Sequence, residues 1–275
     1  MTDESMDIPD RFRAEAASRG LPAEEPEEWI RVARSAVYLA EGGDGPVVAR
    51  IGGDPMLPYG VPKPSDPFVA SVDLAALPQG ATNLPLPSDG RLLFFAGPDV
   101  HGIEGQVPDA VLYVPAGTPT APAPLADSRR KPYRLRELRT SWRQLSAQMP
   151  ESFALDRWGD FPDEEQFELA DELSDAWAHV GGYRPAWAFQ IGGHPVSPQN
   201  DPVHYARDPE EGGGSEEGGT AGYDGGTEDD WALLATWRCG DDVAELDSGV
   251  AHWVIRHRDL AALRLDRVHR YVEMA

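Results

Sequence analysis

At 275 residues with 41% hydrophobic content, the chain is long enough for one large domain or two fused small ones, and it has apolar material for a real core. Its 47 acidic side chains against 24 basic ones leave a net charge of −23, which argues against binding nucleic-acid backbones or anionic membranes and suits a basic protein partner. One cysteine, Cys239, excludes an intramolecular disulfide and favours a reducing compartment, and the acidic N-terminal stretch lacks the apolar segment of a signal peptide, so a cytoplasmic protein is expected.

In chain order, residues 9–19 and 22–32 read as two short helices, with Phe12, Trp29 and Ile30 as packing residues and a run of glutamates opening the second. Residues 33–39 alternate as a strand, and a Gly-rich turn leads to a second strand at 47–51, a candidate hairpin. Further strands are expected at 68–72, 91–95 and 111–114. Residues 115–126, rich in Pro, Ala and Thr, read as an extended connector. Leu135, Leu138, Trp142, Leu145 and Met149 fall at spacings of three and four, so 129–149 is expected to be an amphipathic helix. An acidic helix follows over about 162–180. Strands at 186–191, 231–237, 250–255 and 268–272 complete the series. Residues 207–230 are glycine-rich, acidic and nearly free of apolar side chains, and are expected to be a disordered loop. Asp73 and Asp259 each precede Leu-Ala-Ala-Leu and are expected to cap short helical turns.

One element occurs twice. Residues 50–58 read RIGGDPMLP and residues 190–198 read QIGGHPVSP. Adjacent glycines allow positive φ and close backbone approach, and the following proline drives Asp54 or His194 into an extended conformation. The plain reading is a bulge or corner that re-aims the chain. The functional reading is a small anion-binding nest with Asp54 and His194 at a pocket rim. Two further echoes support an internal duplication: 68–72 against 233–237, and Gly90 before 92–95 against Gly249 before 252–255. The expectation is an α+β fold of mostly antiparallel sheets with internal duplication and a few peripheral helices. Residues 1–32 would be a helical segment. Residues 33–275 would be one domain of two similar halves, about 33–126 and 181–275, joined by a helical connector over 127–180.

These elements in this order resemble the YwqG-like family, a bacterial domain of unknown function. The matching residues are Ile51-Gly52-Gly53, Pro55, Leu57 and Pro58; then Phe68, Val69, Ala70, Val72, Asp73 and Leu74. Pro87, Gly90, Leu92, Phe94 and Phe95 follow, and then Gly192, Gly193, Pro195 and Gln199 after the acidic helix. A tryptophan-led strand at 231–237 and Asp259-Leu260 close the series. A tryptophan usual after the first Gly-Gly element is missing here, and Ser71 stands where a glutamine is common. The resemblance implies the antiparallel α+β fold with duplication and assigns no catalytic residues. Some relatives sit among bacterial toxin–immunity genes.

A search for chemistry returns no phosphate-binding loop, Rossmann fingerprint, His-Glu-x-x-His, Cys-x-x-Cys or Gly-x-Ser-x-Gly. The seven histidines form no zinc pair by spacing, and 224–230 lacks the EF-hand pattern, so no metal, cofactor or catalytic residue is expected. Two function classes remain. One is a non-catalytic interaction module that masks a basic partner such as a toxin domain. The other is a small-ligand binder or enzyme with its pocket between the halves. Gly52, Gly53, Asp54, Asp73, Gly192, Gly193, His194 and Gln199 would line that pocket.

Overall fold

The computed structural model describes residues 8–42, 45–97, 102–124, 132–181, 186–197, 200–207, 231–240, 243 and 249–274. Of the loop expected over 207–230, residues 208–230 lie outside them, as does the candidate Gln199, while Arg207 ends a helix. Helices α1 (Ile8–Ser18) and α2 (Glu24–Val32) come first, then strands β1 (Arg34–Glu41), β2 (Val47–Ile51), β3 (Met56–Pro58), β4 (Phe68–Asp73), β5 (Arg91–Phe95), β6 (Gly102–Gln106), β7 (Val111–Val114) and β8 (Thr120–Pro122). Then follow β9 (Arg136–Ser146), α3 (Pro150–Trp158), α4 (Glu164–Gly181), β10 (Phe189–Gly192), α5 (Pro202–Arg207), β11 (Trp231–Arg238), β12 (Val250–Arg256), α6 (His257–Ala261) and β13 (His269–Glu273). Eleven strands form one sheet in the order β6-β13-β12-β11-β10-β1-β9-β2-β4-β5-β7, and β3 pairs with β8 apart from it. Every described pairing is antiparallel, so the fold is α+β on a mainly antiparallel sheet.

The ladders on the two sides of the sheet match residue for residue. Ile51 pairs with Ala70 and Arg50 with Ser71; Ile191 pairs with Ala235 and Gln190 with Thr236. One strand further out, the register slips between Phe68 and Ala70 on one side and between Leu233 and Ala235 on the other. Leu74 N–H donates to the Gly90 carbonyl at 3.0 Å, and Cys239 N–H donates to the Gly249 carbonyl at 2.9 Å. Strands β2-β4-β5-β7 therefore correspond to β10-β11-β12-β13. Leu92 to Phe95 stand where Ala251 to Val254 do, one residue earlier than the side-chain pattern alone suggests.

The central strands are crossed between the halves. β1, from the first half, pairs with β10 of the second, and β9, adjoining the second, pairs with β2 of the first. β1 and β9 pair with each other about a point between Ala40 and Arg139, where Leu39 opposite Thr140 mirrors Glu41 opposite Leu138. The expected β1–β2 hairpin is thus corrected, because β9 lies between the two strands.

The expected helix at 129–149 is also corrected: 136–146 is the long central strand and belongs to the sheet. Ser141 is an extra residue where Thr140 and Trp142 face the adjacent Leu39 and Tyr38. A one-residue bulge reverses the alternation, so Leu138 and Leu145 share a face although seven residues apart. Seven residues is also two helical turns, and the bulged strand imitates a helical repeat. Asp73 does cap its short turn, accepting from Ala75 N–H at 3.1 Å, but Asp259 lies inside α6, whose preceding residue is Arg256. α4 is opened by a reciprocal capping box, with Asp163 N–H on the Gln166 amide at 2.9 Å and Gln166 N–H on the Asp163 carboxylate at 3.0 Å.

The sheet curls on itself. β6 and β7 form opposite edges, yet only five peptide steps separate Gln106 from Val111, a reach of at most about 17 Å. Phe94 on β5 meets Phe189 on β10 and Trp253 on β12 with ring centroids 5.2 and 5.0 Å apart. These rings join the main core from opposite sides of the sheet. Arg270, buried on β13, closes the gap by donating to Asp66 at 2.6 Å and to the Phe95 carbonyl at 3.1 Å. A second core joins α1 to α4 through Phe12, Trp29, Phe153, Leu173 and Trp177, braced by a two-pronged ion pair between Arg157 and the buried Glu25 at 3.0 Å.

Gly52 gives this arrangement a test. Its φ is +74°, and a Cβ there would lie 2.3 Å from the Tyr133 carbonyl oxygen, whereas at Gly53 (φ +73°) the nearest atom would be a Leu135 methyl at 3.5 Å. Gly53→Ala is predicted to cost about 1–2 kcal/mol, from the left-handed backbone alone. Gly52→Ala should cost about 1–3 kcal/mol more, from overpacking against backbone. Urea unfolding of both variants checks the order, which equal losses would contradict.

Candidate functional site

The two Gly-Gly elements do not share a pocket. β10, β1, β9 and β2 alternate in direction, so the C-terminal ends of β2 and β10, where the glycines sit, point to opposite ends of the sheet. At the first element Gly53 N–H is taken by the Tyr133 carbonyl at 3.0 Å, Asp54 is exposed, and Asp73 serves its own turn.

The second element is held more tightly. Gly192 and Gly193 have φ of +66° and +77°, and a Cβ on Gly193 would meet the Ala36 side chain at 2.6 Å and that of Ser146 at 2.9 Å. This close approach to β1 and β9 is what the glycines are for. Ser146 Oγ accepts from His194 N–H at 3.0 Å, and the Gln190 amide donates to the Gly192 and His194 carbonyls, both at 2.8 Å. His194 is thereby turned inward, with Nε2 2.7 Å from the Val32 carbonyl. A carbonyl only accepts, so Nε2 carries the proton. Burial, with Arg34 nearby, pushes the His194 pKa down to about 4 against the smaller opposing pull of the Val32 hydrogen bond, Asp201 and Asp156. The ring is neutral at pH 7, with Nδ1 as its acceptor.

Beside His194 lies a cavity of about 210 Å³ lined by Arg31, Arg34, Asn83, Gln148, Asp156 and Asp201, with Val32, Ala33 and Val203 between them. A recess of about 100 Å³ sharing Arg31, Val32 and Asp156 reaches toward Arg157. Both halves contribute: Asn83 comes from the loop before β5, and its neighbour Thr82 packs within 3.0 Å of the place a Gly192 Cβ would occupy. The carboxylates are engaged within the fold. Asp201 accepts from Ser152 Oγ at 2.9 Å and from Val203 N–H at 2.8 Å, and Asp156 accepts from the Gln148 amide. Arg34 donates one N–H to the Trp231 carbonyl at 3.2 Å, and Arg31 donates Nε–H to Glu28 at 2.7 Å. A compact anion or a hydroxylated ligand is what this lining can hold.

Of the residues expected to form a site, only His194 lines this cavity; Gly192 and Gly193 lead the chain to it without lining it, and Gly52, Gly53, Asp54 and Asp73 lie away from it. Arg31, Arg34, Asn83, Gln148, Asp156 and Asp201 carry no motif. Only the proximity of Arg31 and Arg34 to the start of β1 could have hinted at them.

Fold and cavity define a curled antiparallel α+β domain with a small polar cavity at one end of its central strands. The chain belongs to the family described as a domain of unknown function (DUF1963), matched over residues 49–272. No curated protein matches it.

The buried His194 predicts a pH response. Its folded pKa of about 4 lies below the ordinary 6.5, so between these values the unfolded chain binds a proton that the folded chain does not. Stability from neutral His194 is therefore full above about pH 6.5 and is lost as pH falls toward 4. His269, also pushed down to about 4 by burial, acts in the same direction. Urea midpoints at pH 7 and pH 5 are predicted to differ less for His194→Gln than for the natural chain. An unchanged difference would contradict this assignment.

Proposed function

We propose that the chain is a cytoplasmic binding module whose cavity at the second Gly-Gly element takes a compact anion, a carboxylate or a phosphate. The observation that carries this is the convergence of Arg31, Arg34, Asn83, Gln148 and His194 on one cavity whose own carboxylates are already hydrogen-bonded. The volume of about 210 Å³ is below the roughly 300–1,000 Å³ usual for drug-sized ligands, which favours a ligand of few atoms. We read the matched ladders as an internal duplication and the family as YwqG-like, a finer label supported by the two Gly-Gly elements in their order.

A second reading is an interaction module that masks a basic protein such as a toxin domain. It is favoured by the net charge of −23 and by α4, where Asp163, Glu164, Glu165, Glu168, Asp171, Glu172 and Asp175 are all exposed and no lysine or arginine intervenes. Phe161, 96% exposed, stands beside this face as an apolar anchor. Charge complementarity would speed association and make it salt-sensitive.

The two readings part on separate variants. Inorganic phosphate and small dicarboxylates at millimolar concentration should raise the melting temperature of the natural chain. Arg31→Ala, at a largely exposed side chain, should weaken that response at least tenfold without unfolding the protein. No response to any of these anions would overturn the cavity reading. For the second reading, replacing Glu164, Glu168, Asp171 and Asp175 together by lysine should abolish salt-sensitive recovery of a basic protein from the native host, and undiminished recovery would overturn it.

A further inference from the structure

The matched ladders allow each position of one half to be compared with its counterpart, and in one place the two halves differ in kind. On the outer face of the first half, Leu57, Phe68, Leu93, Phe95 and Val114 form an apolar cluster, with Leu112 against it. By register, Leu93 corresponds to His252, Leu112 to Tyr271 and Val114 to Glu273. Leu57 corresponds to Ser197 by its place after the Gly-Gly element. Four apolar positions have become a histidine, a tyrosine, a glutamate and a serine, and the first three remain buried.

Burying such groups is costly unless each finds a partner. Here the partnering is incomplete. Thr236 Oγ1 lies 2.9 Å from His252 Nδ1, Ser197 Oγ donates to Glu273 Oε1, and the Tyr271 hydroxyl approaches Asn200 Nδ2 at 3.4 Å. His252 Nε2 and Glu273 Oε2 have no hydrogen-bond partner, although the residues are 0% and 3% exposed. His252 Nε2 stands 3.5 Å from Glu273 Oε1. Thr236 Oγ1 can accept from Nδ1–H, and in that tautomer the Nε2 lone pair faces the Glu273 carboxylate, an arrangement that a cation between them satisfies.

We propose that His252 and Glu273 form a site for a divalent transition-metal ion of the zinc class, completed by the Ser197 and Tyr271 oxygens or by water. Bonds of roughly 2.0–2.1 Å at a tetrahedral centre put neighbouring ligands about 3.3–3.4 Å apart, close to the 3.5 Å found here. The Thr236 contact on the other ring nitrogen is the kind of outer hydrogen bond that orients a metal-binding imidazole. Tyr271 lies close enough to Glu273 to interact with it. Among the described residues no group of three His, Cys, Asp or Glu side chains could hold a metal. The site therefore rests on one imidazole, one carboxylate and neutral oxygens, and it binds less tightly than a closed structural zinc site. Spacing in the sequence hides it, because His252 and Glu273 meet across the β12–β13 ladder. It shares no residue with the cavity lining and stands independently of the proposed function.

The test uses the residues of the first half as replacements. The full chain is stripped with EDTA, and zinc binding is followed by calorimetry and by metal-dependent melting, with cobalt(II) absorption as a probe of coordination. The natural chain should bind one equivalent of zinc and melt at a higher temperature with it. The double variant His252→Leu, Glu273→Val should bind at least tenfold more weakly, while its metal-free melting temperature equals or exceeds that of the natural chain, since a well-packed apolar replacement of buried polar groups is often neutral or stabilising. Should the double variant fail to fold, His252→Gln gives the same readout. No stoichiometric uptake by the natural chain, or equal binding by the variants, would overturn the proposal.

Discussion

The pairing of β1 with β9 is the constraint on which the rest of this structure depends. Each of these strands also pairs with the Gly-Gly strand of the opposite half, so neither half's sheet is complete without the other. The arrangement is close to a two-fold about the point between Ala40 and Arg139. Local antiparallel neighbours such as β4 and β5 can form early, but the central ladder joins segments about a hundred residues apart, and closing such loops is entropically unfavourable. The domain is held by its least local contacts.

The same two-fold explains where a cavity can lie. Because the Gly-Gly elements end at opposite poles of the sheet, each is finished by different neighbours. At the β2 pole the Tyr133 carbonyl fills the space next to Gly52. At the β10 pole, the junction of α2 with β1, the start of α3 and the loop carrying Asn83 surround His194 without filling the space. One framework, finished differently at its two ends, places a polar cavity at the β10 pole. The outer faces diverge in the same way, with β3 and β8 over an apolar cluster in the first half and α5 over Trp231, Leu233 and Val254 in the second.

Much of the framework was legible in the sequence because it is local. Short apolar runs at 68–72, 91–95 and 250–255, proline and glycine punctuation, and the apolar stripe of α4 each reflect a local preference, and those elements stand where the pattern puts them. The repeated Gly-Gly motif was visible because both copies adopt the same left-handed backbone, with positive φ at both glycines. β9 was misread because a bulge at Ser141 imposed a false helical period, and the β1–β2 hairpin because a turn sequence cannot show that a distant strand will intervene. Of the cavity lining, only His194 could be found, since the repeat marks it. Arg31, Asn83 and the Gln148–Asp156 pair at α3 come from three separate segments, and no spacing relates those segments before the sheet has curled.

The central claim, that each half supplies a strand the other cannot do without, is tested most directly by dividing the chain between residues 126 and 127. The account predicts that neither fragment alone unfolds cooperatively in urea, and that mixing them yields a one-to-one complex that does. A fragment that folds alone as a monomer with a cooperative transition would contradict it.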